Sequence, residues 1–199
     1  MIKTKHLLIA PTVLLLSALL FSACGNKQGK YPREPRYHAS FNEDWLFSLS
    51  DSAAYSESSF PDASWRSLDL PHDWSIEGSF SQEHPAGTGG GALPGGIGWY
   101  RKSFHVAAED SARKVFITFD GIYQNSEVFV NGQLLGKRPN GYISFQYELT
   151  PFLKFGEKNQ IAVRVDNGDQ PNSRWYSGSG IYRNVWLTKT NPVHIPLWG

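Results

Sequence analysis

From Tyr37 onward, apolar and polar residues alternate in short runs, and no long stretch carries a helical period. Runs rich in β-branched and aromatic residues are separated by Gly, Pro, Asn and Asp, the pattern of strands bounded by turns. Nine strands are predicted on this basis: Trp45–Leu49, Trp65–Leu68, Trp99–Val106, Lys114–Phe119, Glu127–Val130, Gln133–Gly136, Tyr142–Glu148, Gln160–Asp166 and Asn184–Thr190. The clearest is Gln160–Asp166, with Ile161, Val163 and Val165 on one face and Arg164 and Asp166 on the other. Val130-Asn131-Gly132-Gln133 supplies a two-residue hairpin turn, because both central positions of that turn need positive φ. Short strands in series with no interleaved helix predict an all-β fold, a jelly roll or β-sandwich.

The pattern differs before residue 37. Lys3 and Lys5 precede an apolar run from Leu7 to Phe21, interrupted by Pro11, and then Ser22-Ala23-Cys24. A basic start, an apolar centre and small residues at a cleavage point read as a signal peptide over residues 1–23, too short to span a membrane comfortably. Phe21-Ser22-Ala23-Cys24 also resembles the bacterial lipobox, whose cysteine is acylated; Phe21 is a departure, since Leu is commonest there. Cys24 is the single cysteine of the chain and falls where a lipobox needs it, so it is the expected lipidation site and membrane anchor. Gly25 in place of Asp resembles lipoproteins sorted to the outer membrane, on its periplasmic or surface face. Residues 24–36 are polar and contain Pro and Gly, suiting a tether. Residues 37–190 hold the predicted sandwich. Residues 191–199 end on Ile195, Leu197 and Trp198, an apolar close that reads as an interrupted segment.

Composition narrows the function. With 19 Lys+Arg against 18 Asp+Glu, the chain has no field that would gather nucleic acid. Aromatic residues make up 14%, too many for a disordered segment. One cysteine excludes an internal disulfide and a cysteine-based zinc site, and the six histidines show no metal-ligand spacing. Neither a metal nor a cofactor is expected. The glycine-rich stretch Gly87–Gly98 lacks the Lys-Ser/Thr of a phosphate loop and reads as a loop over one end of the sandwich.

One segment carries candidate sugar chemistry. In Pro71–Gly78 (PHDWSIEG), Asp73 stands beside Trp74; a ring covers the C–H face of a sugar while a carboxylate takes its hydroxyl protons. The structural alternative is a turn in which Asp73 satisfies backbone N–H groups and Trp74 packs inward. Trp45, Trp65, Trp99 and Trp186 read as core or interdomain residues. Asp73 and Glu77, four apart, do not make an assignable catalytic pair, and no residue is assigned a catalytic role.

Five segments in order resemble the N-terminal sugar-binding jelly-roll domain of glycoside hydrolase family 2. They are Leu70–Gly78, Gly98–Phe104 (GWYRKSF), Asp120–Gly132, Gly141–Leu153 (GYISFQYELTPFL) and Ile161–Trp186, which ends SGSGIYRNVW. With the lipobox, the sequence looks most like β-galactosidase members from Bacteroidetes. The resemblance implies a galactose-binding-like sandwich that binds carbohydrate, a β-galactoside-like oligosaccharide. In the family it is followed by an immunoglobulin-like domain and a barrel that carries both catalytic glutamates. It also implies that residues 191–199 begin the second domain, and that the chain lacks the glutamates and is inactive alone. The resemblance also makes Pro171–Arg183 (PNSRWYSGSGIYR) the second candidate segment: in β-galactosidases of the family an Asp of this loop reaches the sugar, and here that position is Arg174, so the galactose contact does not carry over. Arg174 offers five donors to a sugar oxygen instead, and Trp175 and Tyr176 offer stacking surface. A free-standing carbohydrate-binding lipoprotein and a structural docking domain are the alternatives.

Overall fold

The computed structural model describes residues 34–199. The signal peptide, Cys24 and most of the tether lie outside the described residues. The remainder is a sandwich of two antiparallel sheets with only short 3-10 turns between strands. The strands are β1 (Arg36–Ser40), β2 (Trp45–Ser48), β3 (Arg66–Leu68), β4 (Gly96–His105), β5 (Lys114–Phe119), β6 (Ser126–Val130), β7 (Gln133–Arg138), β8 (Phe145–Glu148), β9 (Lys158–Asn167) and β10 (Val185–Thr190). A four-stranded sheet runs in the order β1-β10-β5-β8, and a six-stranded sheet in the order β3-β2-β4-β9-β6-β7.

Alternation builds the core. Ile161, Val163 and Val165 of β9 are fully buried and face Val115, Ile117 and Phe119 of β5 within one cluster. The hairpin of β6 and β7 turns at Asn131 (φ 49°) and Gly132 (φ 83°), as the Asn-Gly pair predicts. All nine predicted strands are present, Lys114–Phe119 with its predicted ends and the other eight with shifted ones. β1 is the addition: it is an exposed edge strand with no apolar alternation, held by its ladder to β10 and by His38 stacked on Trp186 at 4.8 Å.

The two sheets differ on their outer faces. Residues 49–65, between β2 and β3, fold back over β4. Arg101 of that strand is completely buried beneath them: its Nε donates to Asp62 (2.7 Å), and its Nη1 to the carbonyls of Glu57 (3.0 Å) and Tyr55. Tyr55 meets the edges of Trp65 and Trp99. On the four-stranded sheet, residues 191–199 form no strand and lie along the outer face, with His194 beside Phe116 and Arg36 donating to the Ile195 carbonyl.

Candidate functional site

One end of the sandwich gathers both candidate segments, the glycine-rich loop and the β7–β8 connection. The long loop leaving β9 is fixed by Asn167, which is buried at the strand's end. Its amide nitrogen donates to the Gly178 carbonyl (3.0 Å) and Ser179 Oγ (2.7 Å), and its oxygen accepts from Gln170 (2.8 Å) and Asn172 (2.7 Å). Both ends of residues 168–179 are thus tied to one side chain.

Asp73 joins this loop to the Pro71–Gly78 segment. Its Oδ1 accepts from the backbone N–H of Ser75 (3.0 Å) and Ser179 (2.8 Å), and its Oδ2 from the Tyr176 hydroxyl. Burial, together with that bond, raises the Tyr176 phenol well above its ordinary range, so it stays a donor. Gly178 (φ 75°) sits against the carboxylate, where a Cβ would fall 2.8 Å from Oδ2. Asp73 is therefore a loop fastener with its acceptors engaged.

Trp74 does not form a stacking platform. It is 2% exposed, lies over Phe47 with ring centres 5.7 Å apart and donates its indole N–H to the Gly95 carbonyl (3.1 Å). Gly98 leaves the room for it. The expectation of a sugar-facing Trp74 is corrected: the ring is core, and the loop needs it there because the neighbouring backbone must close over the sandwich. Glu77 bonds Arg66 (2.8 Å) and approaches His72 Nε2 (3.3 Å), so it turns away from Asp73. Partial burial would raise the Glu77 carboxyl, but the Arg66 bond and His72 outweigh it and the pKa is lowered.

Trp175 stands in the open, 60% exposed, with its indole N–H donated to the Tyr142 hydroxyl (3.0 Å). Tyr142 and Tyr176 are also exposed, at 49% and 41%, and Tyr142 sits edge-on to Tyr123 at 5.4 Å. Arg174 is exposed beside them, and none of the ion pairs among the described residues includes it. The loop Gly89–Gly91 lies alongside, close enough that a Cβ at Gly89 would be 3.7 Å from the Arg174 backbone. The arrangement offers aromatic faces and free guanidinium donors at one rim, the equipment for holding a polyhydroxylated ring.

Tyr142 is the residue that sequence reasoning missed as a site component, having been placed in a strand. The strand begins only at Phe145, because Asn140 Oδ1 caps the backbone N–H groups of Tyr142 (2.8 Å) and Ile143 (3.2 Å) in a turn. The Pro139-Asn140-Gly141 triplet was the available signal. Among the described residues, no group of three or more His, Cys, Asp or Glu is placed to hold a metal ion.

The fold is thus a two-sheet β-sandwich with exposed aromatic residues and an arginine gathered at one end. Residues 90–191 match the family model for the sugar binding domain of glycosyl hydrolases family 2, and the chain belongs to that family. It is 63% identical over 165 residues to a β-galactosidase, BoGH2A, of Bacteroides ovatus, covering 83% of this chain and 19% of that protein. It is 50% identical over 159 residues to a putative β-glucuronidase of Formosa agariphila, covering 80% of this chain and 15% of that one. Among solved structures, a β-glycosidase from Bacteroides vulgatus superposes with a TM-score of 0.80 at 52% identity, over 82% of this chain and 21% of that one. The chain thus spans about a fifth or less of the length of these relatives.

Proposed function

We propose that this domain binds a β-galactoside-like oligosaccharide through the Trp175 loop, and that it does so as the sugar-binding part of a family 2 glycosidase whose hydrolytic groups lie elsewhere. The observation that carries this is the pairing of exposed Trp175 with Tyr142, beside the uncommitted Arg174. Retaining hydrolysis needs two carboxyl groups about 5–5.5 Å apart across the bond to be cut. The carboxylates nearest the cluster serve other partners: Asp73 binds backbone and Tyr176, Glu77 binds Arg66. The names of the relatives, β-galactosidase and β-glucuronidase, support a β-glycoside as the ligand.

Titration of intrinsic fluorescence with methyl β-galactoside is expected to give a saturable change at millimolar sugar that Trp175→Ala abolishes. The same protein is expected to leave nitrophenyl β-galactoside uncleaved. A signal that survives Trp175→Ala, or turnover resistant to purification, overturns the reading. Arg174 favours a second ligand: a guanidinium matches a uronate carboxylate, so a glucuronide that binds more tightly than the galactoside and loses that advantage in Arg174→Gln would redirect the assignment.

The membrane is the second proposed partner. Acylation of Cys24 would place the domain on the outer membrane, and Cys24→Ser is expected to move it from the membrane to the soluble fraction. An unchanged distribution would remove the anchor.

A further inference from the structure

The outer face of the six-stranded sheet holds a hollow away from the Trp175 cluster. Its origin is a step in coverage: residues 49–65 roof β4 and reach β9 through the Asp51–Arg164 pair, while β7 at the sheet edge stays largely exposed. The registers Arg101↔Ala162 and Phe129↔Ala162 put a small residue between two large ones. Over that gap Trp99 stacks on Phe129 with ring centres 5.8 Å apart. The hollow measures about 290 Å³ and is lined by Asp51, Ser56, Trp99, Glu127, Phe129 and Arg164. A second cleft of about 200 Å³ shares Glu127 and Arg164 with it and continues to Pro139. Pro139 at its end stands three residues before Tyr142 in the chain.

We propose that this groove is a second carbohydrate subsite, one that takes a neutral oligosaccharide chain. Its chemistry favours hydroxyls over ions because its charges already answer one another. Arg164 binds Asp51 through two bonds (3.0 and 2.8 Å) and Asp166 through a third (3.1 Å), and Lys137 binds Glu127. Trp99 also donates its indole N–H to Asp51 (2.8 Å), which fixes the ring. The Arg164 bond holds the Asp51 carboxyl below its usual range, so it remains an acceptor in mild acid. Glu127, paired with Lys137 through Oε1, keeps Oε2 for a sugar hydroxyl, and Phe129, half-buried, presents part of a ring for a C–H face. The combined clefts reach the size at which small-molecule sites begin, roughly 300 Å³.

The subsite takes its ligand class from the sugar-binding reading above, and one experiment separates the two. The full chain is titrated calorimetrically with methyl β-galactoside, with β-1,4-linked galactotetraose and with trigalacturonate. Phe129→Ala and Glu127→Gln are each expected to weaken tetraose binding at least fivefold while leaving methyl β-galactoside unchanged. Trp175→Ala is expected to weaken both. Glu127→Gln is nearly isosteric and carries the test if Phe129→Ala fails to fold. Unchanged tetraose affinity in Glu127→Gln and in any folded Phe129→Ala, or no tetraose binding at all, overturns the subsite. Trigalacturonate binding more tightly than the tetraose, and depending on Phe129, overturns its neutral character. The loop reading fails separately, if Trp175→Ala leaves methyl β-galactoside binding intact.

Discussion

At the end of β9, the amide of Asn167 meets four partners with its two donors and two lone pairs, and all four belong to the loop that carries Arg174 and Trp175. An aspartate there has nearly the same shape but no donors, and its negative oxygen would face the Gly178 carbonyl. Asn167→Asp is therefore expected to cost about 1–3 kcal/mol, as for a buried polar partner left unmatched. It should also weaken sugar binding, because an unfixed loop must be ordered by the ligand. Urea denaturation and the fluorescence titration measure the two effects; normal values of both would show that the loop is held by other contacts. Trp74 and Trp175 mark the contrast at this scale. The two sit in similar polar, turn-rich surroundings in the sequence, yet one is core and the other solvent-facing, a difference set by which loop closes over the sheet and not by local composition.

At the scale of elements, Gly98 shows how strand and loop are fitted together. It lies in β4 directly beneath Trp74, and a Cβ there would stand 2.8 Å from the Trp74 ring and 2.9 Å from Phe47. Both rings are confined, so Gly98→Ala is expected to destabilise by about 1–3 kcal/mol through overpacking, despite the better strand propensity of alanine. A thermal midpoint equal to the parent's would mean that the rings can shift. Strands with a buried and an exposed face, such as β9, are legible because period two is written in their residues. β1 is not, since an edge strand held by ladder bonds needs no apolar alternation. Arg101 misleads in the opposite direction: an arginine in a strand reads as solvent-facing, and only the long-range return of residues 49–65 buries it. The same holds for the site. Arg174 and Trp175 are reached through the resemblance of their loop to the family's, whereas their partner Tyr142 depended on where a turn ended and a strand began. The groove over Ala162 depended on registers among three strands, β4, β9 and β6, which no local pattern encodes.

Across the whole molecule, the junction of the two segments makes stability depend on pH. His72 is buried between Tyr100 (2.7 Å) and Arg66 (2.9 Å), and burial lowers its pKa despite the opposing pull of Glu77. A histidine whose folded pKa lies below its unfolded value of about 6.5 binds a proton more readily in the unfolded chain. Its contribution is complete above that value and declines as pH falls toward the folded pKa. Glu77 and Asp51, with lowered carboxyl pKa values, behave as carboxylates do: their stabilisation is complete above the unfolded values and lost as pH falls through the folded ones. Acid should therefore weaken the fold in two stages, the first beginning below about pH 6.5 and the second in the carboxylate range. His72→Asn removes the titrating group and leaves a hydrogen-bonding side chain. It is expected to lower stability at every pH, yet to flatten the first stage when urea midpoints at pH 7.5 are compared with those at pH 5.5. An equally steep decline in the variant would assign the first stage to another group and leave His72 a purely geometric role between Tyr100 and Arg66.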